Sequence, residues 1–410
     1  MMQLPDIALT LAGYDLDGLT LACVGSHSAL DLCAGARRVG LRNLVITAAG
    51  REQTYTRHFA VRGDEAQARG CVERTLHVER FPDLLRTEIQ EELLRQNVVF
   101  VPNRSFEVYL HQRYSYDEIE CGMRVPFFGS RTLLRAEERG EASNQYALLE
   151  QAGIPYPRQF RGADEIDRLV MVKAPHAKVS FERAFFLCSS RAEYDQQATR
   201  LMQAGVLNEE GLRGAVIEEY ALGPTINLNF FRSKVLGELE LLGTDTRRQT
   251  NLDGVRALLA EQQAWLGTTP VKMEEAGHIA ATLTESMLER AFELGERFVR
   301  TADAASPPGI IGPFALQCAI VSGPPKDFTV FDVSLRIPGS PGTRYTPYAA
   351  YRWGRDVSVG ERIAMEVAWA REQGVAVIPF GAGSSFEGQI TPQSRAISLD
   401  LSRMKQVLAL

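Results

Sequence analysis

At 410 residues, with 45% apolar and 23% charged side chains, the chain is long enough for two or three packed cores, and its composition excludes a disordered or fibrous protein. Its formal net charge of −6 argues against a general nucleic-acid binder, and no apolar run nears the ~20 residues that span a bilayer. The six cysteines, Cys23, Cys33, Cys71, Cys121, Cys188 and Cys318, are scattered with no Cys-x-x-Cys pair, so neither a disulfide framework nor a zinc ribbon is expected. The N-terminus carries Asp6, Asp15 and Asp17 instead of a basic leader region. A cytoplasmic protein with no nucleic-acid and no membrane partner is the resulting expectation. Only six of the 45 basic residues are Lys, which does not favour the Lys/Glu ion-pair chemistry common in hyperthermophiles.

The first segment reads as β-α-β. Leu19–Val24 is a short apolar run followed by Gly25-Ser26-His27-Ser28, and Ala29, Leu32, Cys33 and Ala36 recur at helical spacing until Gly40. Asn43–Thr47 is the next strand. Asp83 is placed to cap a helix carrying Leu84, Leu85, Ile89, Leu93 and Leu94, after which Val98–Val101 enters as a strand before Pro102. Strands alternating with helices predict a parallel, Rossmann-like sheet. A different rhythm starts near Pro126: a helix over 143–152, an extended Gly153-Ile154-Pro155-Tyr156-Pro157, a strand Leu169–Lys173, a helix over 193–204 and a strand Val216–Tyr220. From Ile226 the pattern is mainly β, interrupted by a long helix near 282–301, and a last helix covers 360–372. The segment 381–410 has no placement.

Several residues stand out chemically. Lys173 ends an apolar strand, where it either snorkels to water or meets an anion. Glu218-Glu219-Tyr220 ends a second such strand, and the two strand ends together describe a nucleotide cleft. Gln317 and Asp332 are polar residues inside apolar strands joined through Gly323-Pro324-Pro325, a hairpin signal that brings two oxygen ligands together for a hard cation such as Mg²⁺. Arg336, four residues after Asp332, is expected on the same strand face, holding a phosphate or pairing with that Asp. Gly25-Ser26-His27-Ser28 follows the first strand, where open α/β sheets bind ligands; the plain alternative is a helix cap by Ser26 or Ser28. Thr250-Asn251-Leu252-Asp253-Gly254 reads as a polar turn or as a sugar or amide contact.

In this order, these residues resemble the archaeal formate-dependent FAICAR synthetases (formate–phosphoribosylaminoimidazolecarboxamide ligases), ATP-grasp enzymes of purine biosynthesis. The resemblance runs from about Gly25 to Glu372 and is carried by GSHSALDLCAGARRVG (25–40), PFFGSRTLLRAEE (126–138), LLEQAGIPYP (148–157), VIEEY (216–220), NLDG (251–254), PPGIIGPFALQ (307–317) and VFDVSLRI (330–337). It implies an α/β ATP-grasp fold with an N-terminal Rossmann-like pre-ATP-grasp domain (1–125), a small lobe (126–220), a large lobe (221–380) and a tail (381–410). It assigns Lys173, Lys178, Glu218, Glu219 and Tyr220 to ATP, and Gln317 and Asp332 to Mg²⁺. His27 and Arg336 are implied as catalytic, with Ser26, His27, Asn251, Asp253 and Arg344 facing the ribonucleotide. In that family ATP phosphorylates formate, and the amine of the aminoimidazole carboxamide ribonucleotide, AICAR, attacks the formyl phosphate. The partners implied are a small carboxylate and an amine, in a homo-oligomer.

The chain departs from the family on the nucleotide side. The stretch 174–186 (APHAKVSFERAFF) has no glycine, so a mobile backbone cradle over the triphosphate is missing, although Lys178 and Arg183 carry charge. Asp332 stands where the family has Glu, and Ile337–Arg344 replaces its Asp-Gly-Gly-Thr-Asn. These changes favour a ligase acting on another carboxylate–amine pair, one that serves one-carbon cofactor synthesis by analogy of fold. The family's own reaction comes next, and a non-catalytic ligand-binding scaffold last.

Overall fold

A computed structural model describes residues 4–63, 68–174, 185–266, 273–338 and 341–372. Four parallel strands, β1 (Thr20–Val24), β2 (Arg42–Ala48), β3 (Arg74–Val78) and β4 (Val98–Phe100), form the first sheet in the order β3-β2-β1-β4. The strand order reverses between β1 and β4, so the loops that follow these two strands open onto a crevice. Helix α1 (Ala29–Arg38) packs Leu32, Cys33 and Ala36 against the sheet. The helix expected from Asp83 starts later, at Thr87. Phe81–Leu85 is a 3₁₀ turn with Pro82 in its first positions, and the Asp83 carboxylate is turned back to accept from the Arg80 N–H (3.0 Å).

The segment after Pro126 leads to helix α2 (Gln145–Gln151), whose Leu148 and Leu149 enter the core of the third sheet. The second sheet is small and antiparallel, in the order β5-β8-β6-β7: β5 (Gln159–Phe160), β6 (Val170–Lys173), β7 (Phe185–Cys188) and β8 (Val216–Glu219). Its hydrophobic core, including Phe160, Val170, Val172, Phe186 and Ile217, is its own. The third sheet is also antiparallel, in the order β11-β10-β9-β12-β13: β9 (Thr225–Arg232), β10 (Leu239–Gln249), β11 (Glu275–Ala280), β12 (Gly312–Val321) and β13 (Asp327–Ser334). One face packs Leu228, Phe230, Phe314, Leu316, Val330 and Val333 against α3 (Leu288–Ala305). No helix among the described residues is long and apolar enough to cross a membrane.

Three β-bulges reset side-chain parity on the opposite face of this sheet. Gln317 pairs with Asp332 and Cys318 with Val330, which makes Phe331 the extra residue; Val330 and Val333 can then both face the core while Asp332 turns away from it. Leu242 is the extra residue of β10, and Ala276 that of β11. The result is a polar row across four strands, Asp245–Asn227–Gln317–Asp332.

Helix α4 (Val359–Glu372) returns from the end of the described chain to lie on α1. The two helices cross where neither has a side chain: a Cβ on Gly35 would stand 2.3 Å from the Glu361 nitrogen, and one on Gly360 would stand 2.4 Å from the Asp31 backbone. The Gly360 N–H donates to Asp31 Oδ2 (2.8 Å) across this crossing. On its other side α4 buries Arg362 completely. The guanidinium donates to Glu240 Oε1 (2.7 Å) and Glu366 Oε2 (2.9 Å) and lies over the Phe231 ring, 4.2 Å from its centroid. The first and third sheets therefore share one continuous core, with Phe128, Phe231, Leu242, Ile337 and Ile363 in it.

Candidate active site

Strand parity sorts the acids of β8. Ile217 points into the small-sheet core and Glu218 to the other face, where it meets Lys173, displaced by one diagonal on β6. The Lys173 ammonium pairs with Glu218 Oε1 and donates to the carbonyl of Phe331 (3.2 Å), the bulge residue of β13. Burial pushes this ammonium down from its ordinary value, against the pull of Glu218. The chain of contacts continues: the Tyr146 hydroxyl donates to Glu218 Oε2 (2.5 Å), Arg139 Nε donates to the Tyr146 oxygen (3.2 Å), and Arg139 Nη2 donates to Asp332 Oδ1 (2.9 Å). Burial alone would raise the Asp332 carboxyl, but Arg139, Lys173 and Arg247 hold it below its usual value. Sequence reasoning missed Arg139 and Tyr146, which lie just after the expected PFFGSRTLLRAEE motif.

Gln317 donates from Nε2 to Ser334 Oγ (3.1 Å), while its Oε1 is buried without a hydrogen-bond partner. An orphaned amide oxygen directly across the ladder from a carboxylate suits a hard cation that completes its shell with phosphate oxygens. Among the described residues no group of three or more His, Cys, Asp or Glu forms an all-protein metal cage, so such a cation would depend on its ligand.

The parallel sheet contributes the other wall. Asn103 caps the helix Arg104–Leu110 through Oδ1 and donates from Nδ2 to the carbonyls of Val24 (2.8 Å) and His27 (3.1 Å), fixing the loop after β1. Ser26 Oγ accepts from Ser105 Oγ (2.5 Å). Ser28 occupies the position before α1 with φ of 66°, yet its hydroxyl makes no cap bond; it donates to the Pro338 carbonyl (2.7 Å), tying this loop to the chain beyond β13. His27 Nδ1 stands 3.6 Å from Glu275 Oε1 on β11. Burial lowers the His27 pKa, Glu275 opposes the fall, and Arg104, Arg336 and His278 reinforce it.

Glu275, His278 and Asp245 carry no local motif, and the sequence reading did not find them. His278 contacts Asp245 through Nδ1 and Glu275 Oε1 through Nε2 (2.9 Å). Burial disfavours its charged form, but these two acids win and hold the imidazole up at about 9, while Glu275, despite burial, is held down to about 2 by His278 and Arg247. A histidine raised in this way contributes stability that is complete below ~6.5 and fades as pH rises through about 9, on the order of 3 kcal/mol. Urea unfolding of the parent and His278→Gln between pH 6 and 10 should therefore show a decline in the parent that is absent from the variant; parallel curves would refute the pairing.

The remaining sequence candidates fall as follows. Arg336 donates to Glu137 Oε2 (3.2 Å) and not to Asp332, because β13 ends at Ser334 and the chain turns away; its Nε is buried without a hydrogen-bond partner. Burial raises Glu137 to about 8 against the pull of Arg336. Glu219 faces away from the cleft, toward Arg168 (3.2 Å), and the Tyr220 N–H is spent on the Leu169 carbonyl (3.0 Å). Asn251 sits at φ 38°, and Asp253 accepts from the Gln249 N–H (2.9 Å) and pairs with Arg248 (3.1 Å), local bonds of a turn at the end of β10. Burial raises the Asp31 carboxyl and Arg344 is among the groups that oppose the rise; the Arg344 Nε is buried without a hydrogen-bond partner. Arg139 and Arg247 likewise hold one buried nitrogen in reserve. Guanidinium donors left unspent around acids are suited to an incoming polyanion. Lys178 and Arg183 lie outside the described residues.

Comparison with known proteins gives this arrangement a family. Residues 21–160 match a family model described as a protein of unknown function (DUF1246), and residues 193–376 one described as a domain of unknown function (DUF1297). Residues 360–410 match a model described as an FAD binding domain; most of them lie outside the described residues, and the part in α4 is packed into the core shared by the first and third sheets. The chain is 38% identical over 375 residues to the 5-formaminoimidazole-4-carboxamide-1-(beta)-D-ribofuranosyl 5'-monophosphate synthetase of Methanopyrus kandleri, covering 92% of this chain and 98% of that one. To the synthetase of the same name from Methanocaldococcus jannaschii it is 34% identical over 359 residues, 87% and 93% of the two chains. Among solved structures, an IMP biosynthesis protein PurP from Thermococcus kodakaraensis superposes with a TM-score of 0.62 at 26% identity, over 86% of this chain and 97% of that one. The N5-carboxyaminoimidazole synthetase from Staphylococcus aureus shares the fold, with a TM-score of 0.54 at 12% identity over 85% and 77%. With these relatives matched over nearly their whole length, the chain belongs to the family of 5-formaminoimidazole-4-carboxamide-1-(beta)-D-ribofuranosyl 5'-monophosphate synthetases and is an ATP-grasp ligase.

Proposed function

We propose that this ligase uses ATP to join formate to the 5-amino group of AICAR. The observation that carries the reading is the family relationship at 38% identity over 98% of a synthetase with that product. The expectation of another substrate pair rested mainly on the glycine-free stretch 174–186; residues 175–184 lie outside the described residues, and the relatives named above lend that expectation no support.

In the proposed reaction a formate oxygen attacks the γ-phosphorus of ATP, and ADP leaves. The AICAR amine then attacks the formyl carbon, the carbon–oxygen bond to phosphate breaks, and the amine proton passes to a base. Lys173 and Arg139 are suited to phosphate oxygens at the nucleotide end, with Glu218 on β8 and the backbone of Glu219 and Tyr220 at that strand's end bordering the adenine side. Gln317 and Asp332 would hold Mg²⁺, which when bound offsets phosphate charge during transfer. His27 and Arg336 lie where the loop after β1 meets the end of β13; Arg336 offers its idle Nε to the transferring group, and His27 serves as base. Ser26, Asn251, Asp253 and Arg344 border the ribonucleotide side. A homo-oligomer forms part of the proposal, and light scattering of the purified chain tests it.

The deciding assay is ADP release by the purified protein with Mg²⁺-ATP. Release that needs formate and AICAR together is expected. Equal release with either one alone, or with neither, would overturn the assignment.

A further inference from the structure

Glu275 is the meeting point of two imidazoles and two guanidiniums from four elements. Its Oε1 faces two imidazoles, His27 from the loop after β1 (3.6 Å) and His278 from β11 (2.9 Å). Its Oε2 faces two guanidiniums, Arg104 from the helix after β4 (3.3 Å) and Arg247 from β10 (3.6 Å). The carboxylate is buried, its side chain 7% exposed, whereas His27 is 40% exposed and open to a ligand. Behind it, His278 is clamped by Asp245, itself held by Asn227 Nδ2 (2.9 Å) and Asn229 Nδ2 (2.7 Å). The bulge at Ala276 is what allows Glu275 and His278, three residues apart on one strand, to turn to the same side.

We propose that Glu275 is a positioning residue for His27: locked from behind by His278 and Asp245, it orients the His27 ring through Nδ1 and leaves Nε2 turned to the reacting amine. This rests on the ligase reading given above. As the amine nitrogen bonds to the formyl carbon and phosphate departs with the carbon–oxygen electron pair, the N–H proton moves to His27 Nε2, and the carboxylate stabilises the imidazolium that results. The two histidines divide the work by their surroundings. His278, between two acids, stays charged and fixed, whereas His27, with one acid facing Arg104, Arg336 and His278, stays neutral and able to accept.

The test uses the full chain labelled at histidine, whose six residues of this type make assignment by substitution practicable. His27→Gln identifies the His27 resonance, and the pH midpoint of that resonance is then followed in the parent and in Glu275→Gln. The carboxylate favours the imidazolium, so its removal should move the His27 midpoint to lower pH. In turnover, Glu275→Gln should lose about 10²-fold in kcat with KM for ATP unchanged, and the acid limb of kcat should move to lower pH. In the His27→Gln background the same substitution should cost nothing further. Glu275→Asp, which keeps the charge on a shorter stem, should shift the midpoint by less and stands in if the Gln variant does not fold. An unmoved His27 midpoint, or losses that add in the double variant, would overturn the proposal and leave Glu275 a structural bridge. If the parent releases no ADP with formate and AICAR, the substrate assignment fails, while the resonance experiment still decides the contact.

Discussion

Asp332→Asn is expected to cut ADP release by about 10²–10³-fold while leaving the unfolding temperature close to that of the parent. The fold should hold because the Asn amide oxygen still accepts from Arg139, the hydrogen-bonding partner of Asp332 at 2.9 Å, and because the bulge at Phe331 is set by the backbone. Turnover should fall because the neutral amide removes the only negative charge that the Gln317–Asp332 pair offers to a divalent cation. Lys173→Met should give a similar loss by a different route. The stem remains in place, but Glu218 loses its ammonium partner and keeps only the Tyr146 hydroxyl, while the cleft loses a cation for phosphate. Steady-state ADP release and thermal melts on the same preparations are sufficient. Near-parental turnover in both variants would remove the nucleotide and metal assignments together.

Arg362→Ala is the largest stability loss expected, about 3–5 kcal/mol. The substitution leaves Glu366 buried without its cation and Glu240 with only the longer Arg352 contact (3.7 Å), and it opens a void under Phe231, Trp353 and Trp369, whose rings all lie against the guanidinium. Glu366 retains Ser233 Oγ (2.8 Å) and the Val235 N–H (2.9 Å), and Glu240 retains Trp353 Nε1 (3.2 Å), so the helix should loosen without coming fully undone. Arg362→Lys keeps the charge but not the planar fork that reaches both acids at once, and should fall between the parent and Ala. Urea unfolding of the three proteins measures this. A loss below about 1 kcal/mol for Ala would mean that the acids find water or protons easily, against their burial.

Much of this was written in local patterns. Three strands of the first sheet followed from apolar runs punctuated by glycine and helical spacing, while β3, whose only apolar residues are Leu76 and Val78, was missed. Lys173, Glu218, Gln317 and Asp332 stood out because each is a polar residue in an apolar strand. Glu219 was open to the same reasoning: alternation along β8 puts it on the face of Ile217, away from Glu218, and it pairs with Arg168. Parity could not, however, reveal the bulges. A strictly alternating β13 would place Asp332 beside Val330 in the core, and only the inserted Phe331 reconciles two buried valines with a carboxylate on the other side. The same is true of Glu275 and His278 around Ala276. Arg139 and Tyr146 were hidden for another reason: their partners Asp332 and Glu218 lie 193 and 72 residues away, and no spacing rule spans such loops. Asp245 left no such trace, because β10 also carries Glu240, Thr244, Thr246, Arg247 and Arg248, among which one more polar residue does not stand out.

The glycine-to-glycine crossing of α1 and α4 has a kinetic meaning. It welds the parallel sheet to the five-stranded one over a shared core, whereas the four-stranded sheet keeps a separate core and touches the rest chiefly through polar side chains. A sheet with a core of its own is expected to move as a unit against the stiffer shared-core body. Under the proposed assignments, the residues that recognise the ribonucleotide and the carboxylate all lie on the shared-core body, and the nucleotide residues Lys173 and Glu218 lie on the sheet with its own core. Changes in the mobility of that sheet should then alter how long nucleotide stays without altering which amine is chosen, so the two properties can drift independently.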